Sequence, residues 1–300
     1  MTSVSSIGQF SYCKPGSLQE TLKIMAEKGA GARILAGGTD LILQIKQKQK
    51  SPSLVVDVKD IGELNRLEYT EALGLCIGAA VPLSKILSFP IVSEKYSMLY
   101  QACSVIGSMQ IRNRGSLGGN ICNAAPSADS APALLCLGAK VIIASEKKIR
   151  IVNLDDFFVG PGITRLEHDE LLIEIEIPNP PKQSAGCYLR HTTREEMDIS
   201  VAGVAAYIEL FPELKVPKEV RIAMSAVAST PLRAHSAEAL LVDRPITEKT
   251  IEQAAQTTVD ETKPISDVRA SAEYRREIVK VLTKRALRKD CEMLGIDIQG

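Results

Sequence analysis

The chain has 300 residues, 45% of them hydrophobic, and its 36 Lys+Arg are balanced by 36 Asp+Glu. That length suits two domains, each able to bury a core, and no apolar run reads as a membrane span. The charge balance leaves no overall field to draw the chain to nucleic acid or an anionic membrane, so an anion site must be local.

Residues 1–8 carry neither a basic n-region nor an apolar h-region, and a cytoplasmic location is the expectation. Ser17-x-x-Glu20, after Pro15-Gly16, is a capping-box signature. Leu18, Leu22, Met25 and Ala26 then recur at helical spacing, which predicts a helix ending near Lys28 before Gly29 and Gly31. Ala32 to Leu35 reads as a short buried strand running into Gly37-Gly38, with Thr39 or Asp40 capping a short helix through Ile45. A glycine turn between a strand end and a helix start is a place where backbone N–H groups favour an anion. Gly29-Ala30-Gly31 begins like the dinucleotide-binding G-x-G-x-x-G. It follows a helix, precedes a strand and has Ile34 in the third glycine's place, so the Rossmann reading is discarded. Lys46-Gln47-Lys48-Gln49-Lys50 reads as a small solvated basic run.

Leu54 to Val58 and Gly74 to Gly78 read as strands, and Ser93 through Ile106 carries one helical period in Tyr96, Leu99, Tyr100, Cys103 and Ile106. Gly107 and Gln110 to Arg114 lead into a second stretch, Gly115-Ser116-Leu117-Gly118-Gly119-Asn120-Ile121-Cys122-Asn123. Both glycine stretches place paired glycines beside small hydroxyl or amide side chains, as a backbone needs to bring several N–H groups onto an anionic group. Together they suggest a pyrophosphate bound between two loops. Arg112 and Arg114 either offset that charge or form a solvated surface pair.

A helix is expected to start at Asp129, followed by strands at Lys140 to Ala144 and Leu171 to Ile177. Pro178-Asn179-Pro180-Pro181 cannot continue a central strand and predicts a domain boundary near residue 180. Beyond it, residues 187–193, 200–210 and 220–228 read as strands and three later segments as helices. The last helix, from Ser271 to about Lys289, places Tyr274, Ile278, Leu282 and Ala286 on one face. The seven cysteines contain no C-x-x-C pair, and His168, His191 and His235 are far apart. This argues against a disulfide framework and against a metal or iron–sulfur site held by this chain. Cys122 reads as a packed thiol despite its place in a glycine motif.

Five segments, in order, resemble the FAD-binding medium subunit of the molybdenum hydroxylases, the xanthine dehydrogenase and carbon monoxide dehydrogenase group. They are Leu35 to Leu41, Gln110 to Ile121, Phe157-Phe158-Val159-Gly160-Pro161-Gly162, Arg194-Glu195-Glu196-Met197-Asp198-Ile199, and Asp267 to Arg275. The resemblance spans essentially the whole chain. It implies an α+β fold: an FAD-binding unit of the vanillyl-alcohol-oxidase/PCMH type over residues 1–180, with subdomains of about 1–59 and 60–180. A C-terminal domain of a three-stranded antiparallel sheet plus helices would follow over residues 181–300.

The same resemblance implies that Arg33, Ile34, Leu35, Ala36, Gly37, Gly38, Thr39 and Asp40, with Ser116, Leu117, Gly118, Gly119 and Asn120, bind the diphosphate and ribityl region. Beside a pyrophosphate, Asp40 suits a helix cap or a ribityl hydroxyl better than a phosphate contact. Gly107 and Asp129 match further contact positions, with an N-cap as the alternative role for Asp129. Leu166 matches an apolar shield on one flavin face. Arg190 stands where the family carries lysine, toward the pyrimidine edge, where a cation stabilises the reduced anionic ring. Catalysis is then flavin-mediated, with no catalytic side chain of this chain's own. Two [2Fe-2S] clusters on a small subunit and molybdopterin on a large subunit are expected on partners, in a dimer of heterotrimers, with NAD+ or another acceptor taking the electrons. The rival reading is a stand-alone FAD-dependent oxidase or dehydrogenase of the same superfamily, which would need a substrate pocket with a base.

Overall fold

A computed structural model describes residues 9–194, 197–213 and 215–298. The chain begins with β1 (Ser11–Cys13), α1 (Leu18–Lys28), β2 (Ala32–Leu35), α2 (Leu41–Lys46) and β3 (Leu54–Asp57), whose strands form a parallel sheet in the order β1-β3-β2. Helix α1 ends at Lys28 as its spacing predicts, and Ser17 Oγ accepts from the Glu20 N–H at 3.2 Å. The Glu20 carboxylate completes the cap one residue early, accepting from the Gly16 N–H at 2.7 Å.

The next part comprises β4 (Leu67–Thr70), β5 (Gly74–Gly78), α3 (Leu83–Ser88), α4 (Pro90–Lys95), α5 (Ser97–Ser104), α6 (Met109–Arg112), α7 (Leu117–Asn123) and α8 (Ser130–Cys136). It closes with β6 (Lys140–Ala144), β7 (Ile149–Asn153), the small hairpin β8 (Phe158–Gly160) and β9 (Ile163–Thr164), and β10 (Leu171–Ile177). Five of these strands make an antiparallel sheet, β4-β5-β10-β6-β7. The single helix expected over residues 93–106 is instead two. Tyr96 interrupts it with φ −125° and ψ 45°, while its ring is buried and its hydroxyl lies 3.4 Å from the Ile177 carbonyl. Burial of that aromatic against β10 overrides the continuous apolar period.

The remaining elements are β11 (Ser184–His191), β12 (Ala202–Leu210), β13 (Pro217–Ser225), β14 (Leu232–Arg233), α9 (His235–Ala239), α10 (Glu248–Asp260) and α11 (Ala272–Met293). Their antiparallel sheet runs β11-β12-β13-β14, so the expected three long strands gain a two-residue fourth. Arg233 holds that edge, donating to both carboxylate oxygens of Glu238 at 2.6 and 3.0 Å while Glu238 also accepts from the Ile222 N–H. All nine residues of β12 are buried, because α5 and α8 pack toward one face of the sheet and α10 and α11 complete the core on the other.

The buried face of α11 holds Leu282 and Ala286 as expected, with Ile278 packed partly against the core, but it departs from the expected face at its start. Tyr274 is exposed, whereas Arg275, Val279, Leu282, Thr283, Ala286, Leu287, Asp290 and Cys291 face inward. Arg275 is drawn in because its guanidinium donates to the Val201 carbonyl at 2.6 Å, the Ala226 carbonyl at 3.1 Å and Asp267 at 2.8 Å. Hydropathy treats an arginine as outward; three acceptors reverse that.

Candidate functional site

The first glycine turn leaves β2 and enters α2, and the second leaves α6 and enters α7. They meet backbone to backbone. A Cβ at Gly37 would overlap the Arg114 carbonyl oxygen and lie 2.7 Å from Gly115 Cα. One at Gly118 would lie 2.6 Å from Ala79 Cα. Only a residue without a side chain permits either approach.

Between the turns and β10 lies a cleft of about 440 Å³. Arg33, Ile34, Ala36, Gly37, Gly38, Thr39 and Asp40 line it from the first turn, and Ser116, Gly118, Gly119 and Asn120 from the second. Gly107 and Leu166 reach the same cleft. Leu35 and Leu117 lie behind it: Leu35 packs beneath Gly38 and Leu117 is wholly buried.

Ser116 is the helix cap of this site, its Oγ accepting from the Gly119 N–H at 3.0 Å. The Leu83 N–H donates to the Gly115 carbonyl at 2.9 Å, and Ser130 donates to Asn120 Oδ1 at 2.6 Å, leaving the Asn120 amide N–H groups for a ligand. Asp40 does not cap α2 with its side chain, contrary to the expectation. Its backbone is already helical, at φ −94° and ψ −48°, whereas a capping carboxylate needs extended backbone. Desolvation at the cleft wall pushes its carboxyl above the usual carboxylate range, against the pull of Lys50.

Several cleft residues were not among the binding residues expected from the sequence. Gln44 Nε2 donates to Asn123 Oδ1 at 3.1 Å, tying α2 to α7. Each lies four residues after a turn residue, Asp40 or Gly119, so helical spacing from the turns points to them. Lys50, read as part of a solvated run, is half-buried on the cleft wall. Cys122 is half-buried there too, and burial pushes its thiol up to about 12, which keeps it protonated and unreactive.

Asp129 and Arg190 do not line this cleft. Asp129 is buried, with Oδ1 accepting from Tyr188 at 2.6 Å and Ser200 at 2.5 Å and Oδ2 from Arg190 at 3.1 Å. It makes no side-chain cap on α8; its donors are residues on and beside the C-terminal sheet. Desolvation raises its pKa even against these donors. Arg112 donates to the Ile106 and Gly107 carbonyls, each at 3.1 Å, bracing the turn that carries Gly107, while Arg114 is exposed. Glu195 and Glu196 lie outside the described residues.

Two close contacts that only glycine allows, beside a cleft lined by both glycine turns, are the features of a protein that binds a dinucleotide cofactor. Comparison with known proteins narrows the class. Residues 8–180 match the family model described as FAD binding domain in molybdopterin dehydrogenase, and residues 188–290 match CO dehydrogenase flavoprotein C-terminal domain. The chain is 33% identical over 290 residues to the xanthine dehydrogenase FAD-binding subunit of Escherichia coli O157:H7, covering 96% of this chain and 98% of that one. It is 34% identical over 281 residues to the glyceraldehyde dehydrogenase medium chain of Sulfolobus acidocaldarius, covering 94% and 98%. Among solved structures it superimposes on a chain of carbon monoxide dehydrogenase from Hydrogenophaga pseudoflava with a TM-score of 0.91 at 28% identity, covering 96% and 99%. Quinoline 2-oxidoreductase from Pseudomonas putida 86 gives 0.88 at 29%. The chain therefore belongs to the FAD-binding subunits of the molybdenum hydroxylase family, flavoprotein parts of multi-subunit oxidoreductases. No helix among the described residues is long and apolar enough to cross a membrane.

Proposed function

We propose that this chain, as the flavin subunit, is the electron exit of its complex, taking electrons from [2Fe-2S] clusters on a small partner and delivering them to NAD+ or another acceptor. A molybdopterin-binding large subunit would oxidise the substrate, in a dimer of heterotrimers. The observation that carries the reading is the backbone contact of Gly37 with Arg114, which brings the two glycine turns together beside one cleft.

The residues present fit FAD. Backbone N–H groups of residues 37–40, with those of Ser116 and Gly118, would hold the diphosphate and ribityl chain, with the Thr39 hydroxyl and the Asn120 amide as side-chain donors. The N–H groups of Leu117, Gly119 and Asn120 donate instead to the Val81 carbonyl, Ser116 Oγ and the Ser116 carbonyl, and fix the shape of the turn. Leu35 and Leu117 support the turns from beneath. Gly107 and Leu166 would flank the cofactor, with the leucine excluding water from one ring face. When bound, FAD supplies two-electron to one-electron conversion, so this chain needs only to position it and set its potential. Arg190 stands outside the cleft, fixed by its 3.1 Å ion pair with Asp129; the pair is net neutral, so Arg190 would act on the ring's far edge as an oriented hydrogen-bond donor. The corresponding domains are residues 1–180, of PCMH type with subdomains near 1–59 and 60–180, and residues 181–300.

Purifying the chain alone and co-expressed with its partners tests this. The expected result is a yellow chain that reduces an acceptor only when assembled with iron–sulfur and molybdopterin subunits. Substrate turnover by the isolated chain would favour the stand-alone oxidase instead, and a colourless chain would remove the flavin role. Replacing Arg190 with Ala should lower the flavin potential while the cofactor stays bound; an unchanged potential would remove Arg190 from the site.

A further inference from the structure

Two cations, Arg33 and Lys50, stand on the wall of the cleft, and among the described residues neither forms an ion pair. Arg33 is anchored, its Nη1 donating to the Ala30 carbonyl at 2.8 Å and the Ala32 carbonyl at 2.7 Å. Among the described residues the Lys50 ammonium has no hydrogen-bond acceptor. Local backbone geometry places it there. After α2, Lys48 adopts φ 59° and the N–H groups of Gln49 and Lys50 both return to the Gln44 carbonyl, at 2.9 and 3.3 Å. Ser53 then donates its N–H to Gly31 at 2.9 Å, which lays the loop beside β2 and its Arg33.

The anionic side chains on the same wall do not answer this charge. Glu170 is occupied by Arg150, with hydrogen bonds of 2.8 and 2.6 Å. Asp40 is the remaining carboxylate, and among the described residues it forms no hydrogen bond or ion pair with Lys50 although the two attract. Desolvation and then the facing Arg33 lower the Lys50 pKa against the weaker pull of Asp40, so two cations and one carboxylate share this wall and leave it net positive. Convergent, partly desolvated cations repel, and an anion bound between them relieves that repulsion.

We propose that Lys50 is a cofactor-recognition residue of this chain, its ammonium donating to a phosphate oxygen of the FAD diphosphate beside the anchored Arg33. The proposal rests on the flavin reading above and adds to the backbone cradle a charged contact from outside either glycine motif.

The test titrates FAD into the full-length apo chain, with flavin fluorescence as the readout, in wild type, Lys50→Gln and Lys50→Arg, at low and at high salt. Lys50→Gln should weaken FAD about tenfold or more, as expected for one charge-assisted hydrogen bond. Its affinity should also depend less on salt than that of wild type. Lys50→Arg should restore most of the affinity and the salt dependence. If Lys50→Gln binds FAD as wild type does, or loses affinity with an unaltered salt dependence, the charged contact is refuted. If the wild-type chain itself fails to bind FAD, the flavin reading falls and Lys50 falls with it. Circular dichroism melts matched to wild type identify the loss as one of recognition rather than folding.

Discussion

The two glycine turns do one task by different means. The second is held by bonds that can be named: the Ser116 cap, the Leu83-to-Gly115 backbone bond, and the Ser130-to-Asn120 side-chain bond. The first has no side-chain cap on α2, and it is shaped by contact, with Gly37 against the Arg114 carbonyl and Gly38 above Leu35. A turn fixed by hydrogen bonds tolerates the loss of one. A turn fixed by close contact tolerates no added atom, because neither backbone can retreat without moving its own strand or helix.

That contrast orders the expected effects of substitution. Gly37→Val should be the most severe, costing about 3 kcal/mol or more because its neighbours are backbone atoms, and the purified protein should lack flavin absorbance. Gly118→Ala should follow at about 2 kcal/mol, since the Ala79 backbone it would strike is tied to Ile173 by a 2.9 Å bond. Urea denaturation of both variants checks the order; a Gly37→Val chain as stable as wild type would break the comparison.

A change remote from both turns separates stability from flavin retention. Asp290 is fully buried in the C-terminal domain, and neither carboxylate oxygen has a hydrogen-bond partner, with only the weakly donating Cys187 thiol beside it. Burial pushes its pKa well above the usual carboxylate range, so the folded chain keeps a proton that the unfolded chain releases. Stability is therefore lost as pH rises from the ordinary carboxylate pKa toward the raised one. Asp290→Leu should gain about 1–2 kcal/mol at neutral pH and less in acid, with FAD affinity unchanged, as thermal melts across pH would show.

Smaller effects sharpen the contrast. Ser116→Ala should cost about 1 kcal/mol by removing the cap, with flavin still retained. Gly119→Ala should be smallest for folding, because its Cβ would meet only the Ser116 oxygen, at 2.9 Å, and otherwise open space. Its FAD affinity should still fall severalfold in fluorescence titration, since Gly119 lines the cleft.

Local features were legible to the residue in several places. Helix α1 ends at Lys28, and β6 and β10 span Lys140–Ala144 and Leu171–Ile177, as their turn residues and apolar periods predict. Most of the expected site residues do share one cleft. The misreadings fall where a distant partner outweighs the local pattern. Tyr96 breaks a continuous helical period to bury its ring, and Arg275 enters a core face to reach three acceptors. Lys50 leaves a polar run for the cleft wall.

By itself the sequence determined where the chain turns, which stretches lack side chains, and which family carries those stretches in that order. Each follows from the sterics of glycine and proline and from the periodicity of apolar residues, which act over a few positions. Only the tertiary structure decided that Gly37 rests on the carbonyl of Arg114, that Asp129 binds Arg190 rather than capping α8, and that Lys50 faces Arg33. Those are contacts between segments far apart in the chain, and their energies depend on burial and on distances that no local pattern contains.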